Sequence, residues 1–184
     1  MPSLPRSSSS ATTEYVVLLS EDGHPIGTAD KATVHTTDTP LHLAFSCHVI
    51  DAEGRVLLTR RALDKRAWPG VWTNSFCGHP GPGEDPAEAI MRRAEQELGT
   101  RVDGIERALP DFRYRAVDDS GIVENEICPV YTARIRADLD PRADEVCAYH
   151  WARPEDVRTA VDATPFAFSP WLVEQAPQMA LYAR

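Results

Sequence analysis

The stretch NSFCGHPGPGE, residues 74–84, sets Cys77, Gly78 and His79 side by side and runs through two Gly-Pro-type turns to Glu84. A buried cysteine alone is a small inert hydrophobe, and it becomes a chemical group only when its surroundings hold it at the mouth of a site. Further along, GIVENEICPV places Glu124 and Glu126 two residues apart. On a strand these carboxylates point to one side, while Val123 and Ile127 turn the other way into a core. Two carboxylates aimed together repel. A solvated strand face tolerates that, whereas a shared metal ion or proton relieves it and sets the two pKa values apart. His35 and His42 bracket HTTDTPLH, and His79 stands two residues from Cys77. Three imidazoles beside two carboxylates suit Zn²⁺, Mn²⁺ or Mg²⁺, and five protein ligands favour an octahedral ion with one open position. His24, His48 and His150 read as ordinary hydrogen-bonding histidines.

These residues need elements to hold them. The strongest helix is DPAEAIMRRAEQELG: Asp85 caps it, Pro86 fits its first turn, Gly99 stops it, and Ala87, Ile90, Met91, Ala94 and Leu98 form an apolar stripe. Arg93 and Glu97, four residues apart, share a face beside that stripe, and on an ordinary helix such a pair is worth well under ~1 kcal/mol. Here the helix is entered through GHPGPGE, a glycine loop whose backbone N–H groups can gather around an anion. YVVLLSEDGHPIGTADK reads as a hairpin turning at Asp22-Gly23, and LHLAFSCHVIDAEGRVLLTRRA as a second hairpin around DAEG. EICPVYTARI is a further strand with Pro129 at an edge or bulge, and shorter helices begin at Pro154 and near Ser169. Strands in the middle with helices outside predict an α+β fold of two layers or a sandwich.

A chain of 184 residues with 42% hydrophobic and 26% charged content predicts one globular domain, 14–184, behind a Ser/Pro-biased disordered leader, 1–13. No apolar run is long enough to span a bilayer, and a net charge of -9 argues against nucleic-acid or membrane-surface partners. Four widely spaced cysteines with no CxxC, and no export signal, predict free thiols in a reducing cytoplasm.

From Gly78 the spacing resembles the Nudix box, a loop-helix motif that binds a divalent metal on a diphosphate, with Gly78, Glu84, Arg92, Glu97 and Gly99 at its key positions. Two positions depart from it. Arg93 stands where that box has a glutamate directly after the arginine, and Gln96 replaces the first glutamate of the closing pair. Hydrolytic members need that carboxylate cluster to hold several ions and activate water, so the thinning argues against hydrolysis. One carboxylate still suffices for one Mg²⁺, which keeps several waters and takes its other ligands from phosphate oxygens.

The ordered blocks LHLAFS, TRRAL, AWPGVWTNS, CGHP, DFRYRA, GIVENE, CPV and ATPFAFSPW together resemble the type 1 isopentenyl diphosphate isomerases, Nudix-fold enzymes of isoprenoid synthesis, over about Glu14 to Trp171. The leader lies outside that resemblance, and a longer helical tail is not expected. The resemblance implies a Nudix-like fold of mixed β-sheets flanked by helices, working as a monomer on a small homoallylic or allylic diphosphate. It implies a proton added at the terminal CH₂ carbon of isopentenyl diphosphate and another removed from C2, through a carbocation-like state.

Such chemistry needs an acid on one face, a base on the other and tolerance of a cation between. The resemblance assigns the acid/base pair to Cys77 and Glu126. A thiol or a metal-bound carboxylic acid can do either job; the expected arrangement is Glu126 as acid, protonated through Tyr114 or the metal, and Cys77 thiolate as base. It implies His35, His42, His79, Glu124 and Glu126 as ligands of a Mn²⁺, Mg²⁺ or Zn²⁺ ion. Glu97, with the carbonyl of Cys77, would hold a separate Mg²⁺ bridging the diphosphate. Lys31, Arg61, Lys65 and Arg93 would grip phosphate, and Trp171 would face the cation with its π system, worth about 2 kcal/mol when dry. Trp68 and Trp72 are candidates for the pocket wall, with core packing an equal reading for each.

Overall fold

A computed structural model of the chain describes residues 13–183. The expected leader therefore falls outside the described residues, apart from Thr13. β1 (Tyr15–Leu19) and β2 (Pro25–Asp30) form the first hairpin, in register from Tyr15↔Asp30, around a turn where Gly23 takes φ 85°. After a loop, β3 (His42–Leu43) pairs with β1, and the chain steps at Ala44 into β4 (Phe45–Ile50) of a second sheet.

β4 is followed by β5 (Val56–Arg61), but the expected second hairpin is open: Ile50↔Val56 is its only paired position. The segment holding β6 (Trp72–Thr73) and β7 (Phe76–Gly78) is wedged between its arms. It runs antiparallel to β5, reverses at Asn74-Ser75, and returns antiparallel to β4 with Ser46↔Cys77 in register. Polar side chains replace the missing ladder. Ser75 Oγ accepts from Val49 N and donates to the Leu57 carbonyl, both at 2.7 Å, while Asn74 Nδ2 donates to the Cys47 carbonyl at 2.9 Å. Buried backbone groups must be paired, so these side chains are what allow the hairpin to stand open.

α1 (Pro86–Leu98) is capped by Asp85 and stopped by Gly99 at φ 61°, as the sequence predicts. A Cβ at Gly99 would lie 2.2 Å from the Asp140 carbonyl oxygen, so only glycine fits there. The buried face of α1 differs from the expected stripe. It consists of Ala89, Ile90, Arg93, Ala94, Glu97 and Leu98; Met91 is exposed and Ala87 half-buried. The two charged residues lie inside the buried face rather than beside it, because that face turns toward the cleft described below.

Next come β8 (Val102–Leu109), β9 (Arg113–Val117), β10 (Val123–Ile127) and β11 (Val130–Ile135). EICPVYTARI is thus two strands, not one. Pro129 lies neither at an edge nor in a bulge: with Cys128 it links β10 of the first sheet to β11 of the second, a point where no ladder needs its missing N–H. β10 runs parallel to β3 and β11 parallel to β4, so the chain changes sheets twice along one line. β12 (Val146–Ala152), α2 (Pro154–Ala163) and α3 (Pro170–Gln175) complete an α+β fold. Its sheets have the orders β2-β1-β3-β10-β9 and β12-β5-β4-β11-β8. Among the described residues no helix is long and apolar enough to cross a membrane.

Candidate active site

A cleft of about 200 Å³ opens where the two sheets part, and twelve of the thirteen residues picked from the sequence line it; the exception, His42, lies fully buried. β10 contributes Glu124 and Glu126, β9 Tyr114, β7 Cys77, α1 Arg93 and Glu97, and α3 Trp171. A larger depression of about 810 Å³ on the far side of Trp68 holds none of the chemical groups picked from the sequence.

His35, His42, His79 and Glu126 present donor atoms that all lie within 4.8 Å of one another. His42 Nδ1–H donates to the Pro40 carbonyl at 2.9 Å, an oxygen that can only accept, so the lone pair sits on Nε2. That Nε2 lies 3.3 Å from Glu126 Oε1 without hydrogen-bonding geometry, and His35 Nε2 is likewise buried without a hydrogen-bond partner. Orphaned imidazole nitrogens turned toward a carboxylate fit a divalent cation between them. Glu124 stands outside the four-residue group, its Oε2 3.2 Å from His35 Nε2, and Cys77 Sγ is also outside it.

The electrostatics follow from burial and these contacts. Burial opposes ionisation of Glu126, but the His42 and His79 imidazoles packed against it outweigh that and hold its carboxyl well below the usual range. Burial and the neighbouring Glu126 charge raise Glu124. Burial takes His79 down to about 4 and pushes the Cys77 thiol up to about 12. With no cation counted, the resting pair is therefore a neutral thiol and an ionised carboxylate, the reverse of the expected thiolate and carboxylic acid. Tyr114 keeps its proton, raised by burial and by Glu126, and donates it to Glu126 Oε2 at 2.9 Å.

The basic residues arrive already engaged. Lys31 Nζ meets Glu14 at 2.5 Å, and Lys65 pairs with Glu145. Arg93 Nη2 meets Glu97 at 2.6 Å and Glu145 at 3.6 Å. Arg61 donates from Nη2 to the Ala67 carbonyl at 2.9 Å and lies 5.6 Å from the Trp171 ring centroid. Burial leads in raising the Glu97 carboxyl, against the pull of Arg93. Gly78 lets Arg93 pass: a Cβ there would lie 2.8 Å from Arg93 Cγ and from Phe45. Glu84 ties the glycine loop to α1, accepting from Arg92 Nε at 2.7 Å and from the Gly81 N–H at 2.7 Å.

Trp171 Nε1 donates to Asn74 Oδ1 at 2.9 Å, and its ring meets Trp68 at 5.5 Å and Tyr114 at 5.7 Å between centroids. Trp68 lines the larger depression and its ring meets the cleft wall at Trp171, and Trp68 and Trp72 both pack against the core cluster, so core packing is the reading that holds for each. Sequence reading missed Glu145, Asn74 and Ser46. Glu145 sits in ADEVC with no motif around it, and the other two look like ordinary strand polar residues until the wedge is known. His48 is a buried hydrogen-bonder, as read, whereas His24 and His150 lie outside the cleft.

A cleft of carboxylates, imidazoles and cations behind a glycine loop and helix is the arrangement of a metal-dependent diphosphate enzyme. The NUDIX domain model matches residues 40–172, and the chain belongs to that family. Within it, the chain is 66% identical over 172 residues to the isopentenyl-diphosphate Delta-isomerase of Leifsonia xyli subsp. xyli, covering 92% of each chain. It is 65% identical over 165 residues to the protein of that name from Clavibacter sepedonicus, covering 90% of this chain and 87% of that one. A solved protein of Deinococcus radiodurans shares the fold at TM-score 0.69 and 18% identity, covering 91% of this chain and 99% of that one.

Proposed function

We propose that the chain interconverts isopentenyl diphosphate and dimethylallyl diphosphate, a step of isoprenoid biosynthesis, with Cys77 and Glu126 as the proton-transfer pair. The observation that carries this reading is that both groups line one small cleft whose other side is cationic, from Lys31, Arg61, Lys65 and Arg93. A diphosphate carries enough charge to draw all four, and the arginines can hold it bidentately.

With the charges of the resting pair, the Cys77 thiol gives its proton to C4 of isopentenyl diphosphate and the Glu126 carboxylate takes one from C2, forming the C2=C3 bond. The return reaction reverses both transfers. The Trp171 ring faces the positive charge that develops at C3 and offers no base to quench it. Tyr114 holds Glu126 by its second oxygen. His35, His42, His79, Glu124 and Glu126 would hold a divalent ion, either Mn²⁺, Mg²⁺ or Zn²⁺, whose charge would fix Glu126 and tune its acidity, and Glu97 with the Cys77 carbonyl would hold a Mg²⁺ that would offset the diphosphate charge. Pyrophosphate hydrolysis is disfavoured by Arg93, which occupies buried space between Glu97 and Glu145 where hydrolysis needs another carboxylate. The enzyme is read as a cytoplasmic monomer.

The deciding experiment is ¹H NMR of isopentenyl diphosphate with the protein, Mg²⁺ and Mn²⁺ in D₂O. The expected product is dimethylallyl diphosphate with deuterium in a methyl group. Phosphate or pyrophosphate release without isomer would overturn the reading.

A further inference from the structure

We propose that Ser46 is a positioning residue for the Cys77 thiol, aimed by a buried strut of Gln175, His48 and Tyr182; the inference rests on Cys77 being a proton-transfer group. Ser46 faces Cys77 in register across β4 and β7, with Oγ 3.5 Å from Sγ. Ser46 Oγ–H donates to Gln175 Oε1 at 3.1 Å, and the same oxygen accepts from His48 Nε2–H at 3.0 Å. His48 Nδ1 in turn accepts from the Tyr182 hydroxyl at 2.8 Å. The directions are fixed, because an amide oxygen only accepts and a neutral imidazole has one donor and one acceptor.

Ser46, His48, Gln175 and Tyr182 all have no solvent exposure. Holding four polar groups in a core is unfavourable unless each is paired, and Gln175 even leaves its own Nε2 without a partner. Packing alone would be served by apolar side chains, yet this chain ends on the reactive sulfur. The thiol also reaches Asn74 Oδ1 at 3.5 Å, but that oxygen already accepts from Trp171 Nε1 and Thr73 Oγ1, both at 2.9 Å, and an amide oxygen cannot donate, so of the two neighbours only Ser46 can give a hydrogen bond to a deprotonated sulfur.

The doubly served Gln175 oxygen gives the arrangement its use. While Cys77 carries its proton, Ser46 donates to Gln175 and presents lone pairs to the S–H. Once Cys77 has given that proton to the substrate carbon, the Ser46 hydroxyl turns about its Cβ–Oγ bond and donates to the sulfur. Gln175 Oε1 still holds the His48 N–H, so no buried acceptor is stranded in either state. The hydroxyl thereby serves both halves of a reversible transfer without itself exchanging a proton with substrate.

The test compares Ser46→Ala and Ser46→Thr in the full chain with Mg²⁺ and Mn²⁺. Loss of a hydrogen bond to a charged sulfur predicts kcat lower by roughly 10–100-fold in Ser46→Ala, with KM within about twofold. Ser46→Thr, which keeps the hydroxyl, should recover kcat to within about threefold. A Ser46→Ala kcat within threefold of the parent, or a loss carried mainly by KM, would overturn the proposal. If Ser46→Ala does not fold, Gln175→Met takes its place, and unchanged kcat there overturns it equally. Iodoacetamide labelling of Cys77 gives a readout independent of turnover. If the parent protein proves inactive on isopentenyl diphosphate, the functional reading fails, while a labelling rate about tenfold lower in Ser46→Ala would still support the role of Ser46 and an unchanged rate would reject it.

Discussion

Tyr114 and Glu126 face each other in register across β9 and β10, and the tyrosine hydroxyl donates to Glu126 Oε2 at 2.9 Å. The other carboxylate oxygen, Oε1, meets His79 Nε2 at 3.1 Å and His42 Nε2 at 3.3 Å. One oxygen therefore belongs to the imidazole cluster and the other to a neutral donor that burial keeps protonated. Removing the donor should loosen the carboxylate without touching the diphosphate grip. Tyr114→Phe is expected to lower kcat by roughly 10–100-fold with little change in KM. A variant with full kcat would show that the imidazole side alone holds Glu126.

Cys77→Ala and Glu126→Gln each delete one proton-transfer group, and kcat should fall by at least 10²–10⁴-fold in both. Diphosphate binding, followed by calorimetry, should persist, because Lys31, Arg61, Lys65 and Arg93 are untouched. If Cys77→Ala instead failed to fold, Cys77 would return to the role of core filler.

Chelation bears on the orphaned imidazoles. EDTA should abolish turnover, with Mg²⁺ plus Mn²⁺ or Zn²⁺ restoring it, and His42→Ala should lose the tightly held ion by elemental analysis. Full activity after exhaustive chelation would remove both proposed ion sites.

The wedge between β4 and β5 rests on Asn74, which is fully buried and has both ends of its amide committed. Asn74→Ala strands the carbonyls of Cys47 and Phe76 and the Trp171 N–H. At about 1–3 kcal/mol for each stranded group, the loss should reach about 3 kcal/mol or more. For a chain of this size that lowers Tm by roughly 6–12 °C in a calorimetric scan. A change below about 2 °C would mean that the hairpin opens for another reason.

The chain's local elements were legible because their signals are local. Asp85, Pro86 and Gly99 bracket α1, and Asp22-Gly23 turns the first hairpin, as propensity and capping dictate. The candidate site residues were chosen through motif spacing and family resemblance, and the fold brings twelve of the thirteen to the cleft wall. What could not be read was set by long-range pairing. Ile50 and Val56 look like the start of an ordinary hairpin, and nothing within DAEG announces that residues 72–78 will enter it. Arg93 and Glu97 look like a surface pair because periodicity cannot see that a cleft lies beside the apolar face. Pro129 reads as a strand defect until two sheets are known to part there. The protonation of Cys77 follows from its degree of burial, a tertiary quantity absent from CGHP.

The buried His48 makes a separate prediction about acid stability. Burial lowers its pKa from 6.5 to about 4, although Gln175 supports it. Above pH 6.5 His48 is neutral in both the folded and the unfolded chain, and the fold loses nothing. As pH falls below 6.5 the unfolded chain takes up a proton that the folded chain refuses, so stability declines until pH reaches about 4, where the folded protein also protonates. That difference corresponds to about 3 kcal/mol lost across the window. His48→Gln keeps a polar side chain without a titrating ring. It should be less stable than the parent at pH 8 through its disturbed contacts with Tyr182 and Gln175, yet flatter between pH 6.5 and 4 in urea unfolding. Parallel curves for the two proteins would assign the acid sensitivity to another group, His79 first among them because burial lowers it in the same direction.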